Sequence, residues 1–187
     1  MSLQEKNVNK DSSDLKRIES LLKNSFPEVE RFPMDLILYK LEKDIGNLLA
    51  IYDDDNFIGF TYLIQYNNLT YVQYLAVDDK YQSMGYGSKI LQFINEKYGM
   101  NPIILNIEIV DPTFENYLQR KKRKDFYKKN EFNESGLIFK DRWGTYEVMV
   151  NNEFSINKND FINLMKCFVG TSLFLYLEIS ITDNELL

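Results

Sequence analysis

The residues with the clearest chemical potential lie between Tyr74 and Ile94. An apolar run ends at Val77 and a polar stretch follows. Gly85 and Gly87 then flank Tyr86 just before a helical pattern begins, in a chain with only 8 glycines among 187 residues. A helix start leaves about four backbone N–H groups without intrahelical partners and gathers partial positive charge. Glycines there can take positive φ and let an anion come close to the backbone. Successive amides so placed form an anion nest, and a diphosphate is its natural tenant. An ordinary strand-to-helix turn uses the same residues.

Known nucleotide motifs narrow the choice. A dinucleotide fingerprint needs glycine at position 90, which is Ile90. The Gly-Lys-Ser/Thr of a P-loop is absent. What remains is a Q-x-x-G-x-G pattern, Gln82-Ser83-Met84-Gly85-Tyr86-Gly87.

Two compositional facts bound the rest. The chain has no histidine and one cysteine, Cys167. This removes Ser-His-Asp and Cys-His catalysis, imidazole-dependent zinc sites and internal disulfides, and no metal is expected. Cys167 reads as a small apolar packing residue. The net charge of −6 argues against general affinity for nucleic acid or anionic membranes. No apolar run approaches a bilayer span and the start lacks the pattern of a signal peptide, so a cytoplasmic location is expected.

The elements that must position the glycine junction follow from periodicity. Residues 1–11 are polar, read as mobile, and no strand is found before Leu15. Leu15, Ile18, Leu21 and Leu22 recur at helical spacing, with Ser12, Ser13 or Asp14 as N-cap and Pro27 as the stop. A second short helix follows Pro33 and ends near Gly46. Asn47–Tyr52, Phe57–Tyr66 and Tyr71–Val77 read as three strands of an antiparallel meander. Asp53-Asp54-Asp55-Asn56 and Asn67-Asn68 form its turns. A helix runs from about Tyr86 to Tyr98. Pro102–Val110 is a strand parallel to Tyr71–Val77. A helix ending near Asn130 comes next, then an antiparallel pair, Phe132–Lys140 and Tyr146–Val150. In the tail, Phe161, Leu164, Met165 and Phe168 mark an amphipathic helix, and an apolar segment runs from Leu173 to Ile181. The expected domain is 1–152. Residues 153–187 pack on it or form a homodimer interface.

The chain resembles the GNAT superfamily of acetyl-CoA-dependent N-acetyltransferases over roughly residues 46–150. The likeness rests on Tyr74-Leu75-Ala76-Val77, Gln82–Gly87 with the helix behind it, Ile103–Val110, and Asp125-Phe126-Tyr127-Lys128-Lys129-Asn130-Glu131-Phe132. The chain departs from the family pattern at Glu131, often glycine, and at Arg120, often asparagine. The resemblance implies a mixed α/β fold: a mostly antiparallel central sheet with helices on both faces and a splayed parallel strand pair. It implies acetyl-CoA as co-substrate, its diphosphate on Gln82, Ser83, Met84, Gly85, Tyr86, Gly87 and Ser88, and its pantetheine arm along Leu75, Ala76 and Val77. It further implies that Tyr127 lies near the CoA sulfur, where a phenol can protonate the departing thiolate.

The acceptor amine must be neutral to attack. Deprotonation at pH 7 costs a lysine-like amine roughly 4–5 kcal/mol and an α-amine about 1 kcal/mol. Glu108, a carboxylate inside the apolar strand PIILNIEIV, is the candidate base, or else points to solvent or pairs with a lysine. Gln73 or Tyr74 could hold water beside it. Glu28 and Glu30 are candidates to attract a cationic small-molecule or peptide amine. The run Arg120–Lys129, with seven positive residues and one negative, reads as a solvated helix face, an attractor of CoA phosphates, or a nucleic-acid patch. A non-catalytic acyl-CoA-binding module on the same fold is the alternative to an N-acetyltransferase.

Overall fold

The computed structural model describes residues 3–184, which form two compact units. The first holds the described residues up to Gln65 together with Val72–Lys97. The second holds Tyr66–Tyr71 and the described residues from Tyr98 onward.

The first unit contains β1 (Gln4–Asn7), α1 (Leu15–Ser25), α2 (Met34–Leu41), β2 (Asn47–Asp53), β3 (Asn56–Tyr66) and most of β4 (Leu69–Val77), followed by α3 (Tyr86–Tyr98). Strand β1 corrects the expectation of a mobile start. It pairs antiparallel with β2, from Gln4 opposite Tyr52 to Asn7 opposite Leu49. A polar four-residue edge strand needs only backbone partners, so it shows no alternating apolar pattern to read. The β2–β3 hairpin is antiparallel with a register shift at Ile51/Tyr52. Its turn is only Asp54-Asp55 with Asp54 left-handed (φ 51°), and Asp53 is the buried last residue of β2. Ile18, Leu21 and Leu22 of α1 are buried as their spacing predicts. Asp14 sits at the N-cap position, but its side chain accepts the Tyr52 hydroxyl at 2.5 Å and leaves the helix uncapped.

The second unit takes the first residues of β4 and adds β5 (Ile103–Glu108), α4 (Tyr117–Lys129), β6 (Phe132–Lys140), β7 (Thr145–Asn151), α5 (Lys158–Val169), α6 (Thr171–Tyr176) and β8 (Ser180–Asp183). Thr70 and Tyr71 pair in parallel with Ile103 and Ile104, the parallel ladder expected from a strand-helix-strand connection. Antiparallel pairing joins β5 to β7, β7 to β6 and β6 to β8. The strands are hydrogen-bonded in the order β1-β2-β3-β4-β5-β7-β6-β8, a mixed and mostly antiparallel sheet. In α5 the residues Phe161, Leu164, Met165 and Phe168 are all buried. Phe161 meets the Tyr71 and Phe139 rings at 5.2 and 5.8 Å between centroids. Cys167 falls off that stripe and is exposed, which corrects its reading as a packing residue. The tail is in part a strand: β8 covers the open edge of β6 and satisfies its backbone groups.

Candidate functional site

The first unit gathers the glycine loop with the end of β4. A short 3-10 turn, Asp79–Tyr81, follows β4. The backbone is left-handed at Ser83 (φ 62°) and again at Gly85 (φ 82°). A Cβ built on Gly85 would meet nothing within 4 Å, so the space above this amide is open. Gly87 corrects a sequence expectation: it lies in the first turn of α3 and needs no positive φ. The Lys89 N–H donates to the Gly85 carbonyl at 3.2 Å. The amides just ahead of it are the orphan donors of a helix start. Open space, two left-handed residues and unpartnered amides suit a diphosphate.

Side chains fix this loop from several directions. Gln82 Nε2 donates to the Val77 carbonyl at 3.2 Å and to Asp79 Oδ1 at 2.7 Å, which ties the loop to the end of β4. The Tyr86 hydroxyl donates to Asp53 Oδ2 at 2.7 Å. The Tyr86 ring takes the edge of Tyr81 at 5.7 Å, and the Lys89 ammonium lies 4.5 Å from its centroid. Behind it, α3 buries Ile90, Leu91 and Ile94. Each such side chain removed from water is worth about 1.5–3 kcal/mol.

Leu75, Ala76 and Val77 close β4. A Cβ on Gly59 of β3 would come within 2.1 Å of the Ala76 carbonyl oxygen, so the two backbones approach as only glycine allows. Tyr74 corrects its reading as a water holder. It is almost fully buried, its hydroxyl donates to the Glu30 carbonyl and accepts the Phe32 N–H, both at 2.8 Å, and burial pushes its phenol well up. This clamp fixes the segment that carries Glu28, which is exposed, and Glu30, which is half-buried.

The second unit gathers Glu108 and the helix of Tyr127. Glu108 forms ion pairs with Arg123 and, at 3.6 Å, with Arg120, and accepts from Asn116 Nδ2 at 3.3 Å. Arg120 Nε donates to Asn116 Oδ1 at 2.6 Å and its Nη1 to the Ile109 carbonyl at 3.0 Å. Arg120, Arg123 and Tyr127 share one stripe of α4 by helical spacing. The Tyr127 ring packs on Phe126 and Phe132, with centroids at 5.2 and 6.1 Å. Desolvation raises its phenol above the ordinary value and the Arg123 charge opposes that rise. Farther along α4, Lys124 bonds Glu147 at 2.7 Å and Glu134 at 3.0 Å, and Lys128 bonds Glu134 at 2.7 Å. Of the seven cations in the basic run, these four, Arg120, Arg123, Lys124 and Lys128, form ion pairs with acids.

Residues 44–134 match the model of the acetyltransferase (GNAT) domain. That stretch carries the sequence pattern of a GNAT acetyltransferase domain. Solved structures share the fold. A protein of Bacteroides thetaiotaomicron assigned to the GNAT acetyltransferases superposes with a TM-score of 0.68 at 22% identity, over 87% of this chain and 94% of that one. A Bacillus subtilis acetyltransferase in complex with CoA gives a TM-score of 0.59 at 13% identity, over 82% and 100% of the two chains. The aminoglycoside 6'-N-acetyltransferase of Enterococcus faecium gives 0.59 at 14%, over 82% and 99%. At these identities the likeness is one of fold. No curated protein matches the sequence significantly. Among the described residues, no helix is long and apolar enough to cross a membrane. No group of three or more His, Cys, Asp or Glu residues there is arranged to hold a metal ion.

Sequence reasoning missed Asp53, Gly59, Lys89 and the arginine pair on Glu108. Gly59 alone left a signal, as an isolated glycine inside the apolar strand FIGFTYLI.

Proposed function

We propose that this GNAT domain moves an acetyl group from acetyl-CoA directly to a primary amine of a small-molecule or peptide acceptor. The observation that carries the reading is the cradle at Gln82–Ser88, with two left-handed residues and an open approach to the Gly85 amide at the start of a helix anchored by burial. Complexes of similarly folded acetyltransferases with CoA support it. Bound there, acetyl-CoA supplies the activated acyl group. Amides of Ser83 to Ser88 hold its diphosphate, and backbone groups of Leu75, Ala76 and Val77 guide its arm.

Tyr127 is the acid. Its phenol is protonated at neutral pH, as any phenol near 10 would be, and desolvation raises it further. Against a thiol near 8.5, complete transfer is uphill by about 2 kcal/mol even from an ordinary phenol near 10, and by more from one raised by burial. Tyr127 therefore acts chiefly by hydrogen bonding to the leaving sulfur. Glu108 is the sequence's base candidate, but two arginines already occupy its oxygens, and pairing with cations weakens a base. We assign it to holding α4 and leave the amine proton to water. Glu28 and Glu30 supply negative charge toward a cationic acceptor, on a segment held in place by Tyr74.

Calorimetry with coenzyme A and an amine library read by free-thiol release test this reading. Wild type binds coenzyme A and releases thiol with at least one amine. Tyr127→Phe keeps the binding and loses about 10²–10⁴-fold in turnover. Glu108→Gln stays within about tenfold, and a loss as large as that of Tyr127→Phe makes Glu108 the base. Binding without thiol release from any amine identifies an acyl-CoA-binding module instead.

A further inference from the structure

Asp53 is a buried carboxylate that sequence reading places in a solvent-exposed turn. It is 9% exposed, Oδ2 accepts the Tyr86 hydroxyl at 2.7 Å, and Oδ1 has no hydrogen-bond partner among the described residues. A buried carboxylate held by a single neutral donor costs stability. That cost fits a group retained for what it positions. Tyr86 stands between Gly85 and Gly87, neither of which has a side chain to anchor the loop. It is the first residue of α3, and its side chain reaches back to the end of β2. Removing its anchor would leave the left-handed Ser83–Gly85 segment held at its start by Gln82 and free to rotate about the glycines.

We infer that Asp53 is a positioning residue of the diphosphate cradle: by holding the Tyr86 hydroxyl it sets the direction of the amides around Gly85 and Gly87, so the β2–β3 hairpin helps determine affinity for the cofactor. This rests on the proposed binding of acetyl-CoA at the loop. The same hydrogen bond raises the Tyr86 phenol above its ordinary range, as expected for a donor committed to a carboxylate. The ring contacts of Tyr81 and Lys89 hold the aromatic plane, while Asp53 fixes its rotation in the loop.

The test is calorimetric titration of coenzyme A, and of inorganic pyrophosphate as a probe of the cradle alone, into wild type, Tyr86→Phe, Asp53→Ala, Asp53→Asn and the Tyr86→Phe/Asp53→Ala pair. Thermal unfolding is followed on the same samples. Tyr86→Phe and Asp53→Ala each weaken both ligands about tenfold, the loss of one hydrogen bond to a charged group. The double variant is no weaker than either single one, because both remove the same contact. Asp53→Asn, whose amide oxygen still accepts the hydroxyl, stays within about threefold of wild type. Tyr86→Phe removes only one hydroxyl and keeps the test alive if Asp53→Ala fails to fold. Single variants that bind like wild type, or losses that multiply in the double variant, overturn the inference alone. A wild type that takes up no coenzyme A overturns the functional reading and this inference with it.

Discussion

Helices α3 and α4 have the same length, 13 residues each, and are held by opposite means. In its unit, α3 buries Ile90, Leu91 and Ile94. In its own unit, α4 buries no residue and is fastened by Glu108, Glu134 and Glu147 through Arg120, Arg123, Lys124 and Lys128. Burial is non-directional and is not subject to charge screening. Ion pairs fix a side-chain geometry and answer to salt and pH. The helix that presents an anion cradle is thus held by contacts that an incoming phosphate does not perturb. The helix that carries Tyr127 is held by a charge network that also reaches the phenol. The basic run of the sequence is largely the adhesive of α4.

Truncation should expose the contrast most strongly. Ile94→Ala is expected to cost about 2–5 kcal/mol, the range for a fully buried aliphatic side chain. Urea unfolding at low and high salt should show the same loss. A salt-dependent loss would mean that α3 is not held by burial alone.

Lys124→Gln is expected to cost about 1–3 kcal/mol, because it leaves the nearly buried Glu147 carboxylate without its cation. Wild-type stability should fall with added salt more than that of this variant, and equal slopes would remove the charge network as the fastening of α4.

The end of α4 sharpens the comparison. Glu131 stands in the left-handed region (φ 66°), donates to the Lys128 carbonyl and accepts the Asn152 N–H at 2.7 Å. A non-glycine residue there costs about 1–2 kcal/mol, and glycine in the unfolded chain returns roughly 0.5–1 kcal/mol of that. Glu131→Gly should therefore stabilise by up to about 1 kcal/mol in thermal unfolding. No gain would show that the Glu131 side chain contributes a compensating contact.

The smallest effect is in pH. Desolvation alone would raise the Glu134 carboxyl, but hydrogen bonds from Lys128, its own backbone and Lys124 outweigh it and hold the group at about 2. A depressed carboxyl stabilises the fold above its ordinary value of 4.5, and that contribution fades as pH falls from there toward 2. Desolvation alone would lower the Lys124 ammonium, yet bonds to Glu147 and Glu134 raise it. Its contribution is complete below its ordinary 10.5 and is lost as pH rises through the higher folded value. Chemical unfolding between pH 2 and 5 should show the acid loss in wild type, and Lys124→Gln should blunt it.

Much of the fold was legible because it rests on periodic burial. Ile18 to Leu22, Ile90 to Ile94 and Phe161 to Phe168 each repeat at helical spacing, and each stripe is buried. The parallel partner of β4 followed from a strand-helix-strand order. The cradle was legible in part: the left-handed Gly85 has a sequence signature, while the left-handed Ser83 has none.

What the amino-acid order determined by itself is the set of elements and the loop type, since periodicity and glycine act within a few residues of the chain. Tertiary structure alone decided that Asp53 holds Tyr86, that Tyr74 clamps the segment of Glu28 and Glu30, that Glu108 is paired with arginines, and that polar Gln4–Asn7 is a strand. Hydrogen bonds, ion pairs and edge pairing of this kind join residues distant along the chain, and no local pattern records which partner each polar group will find.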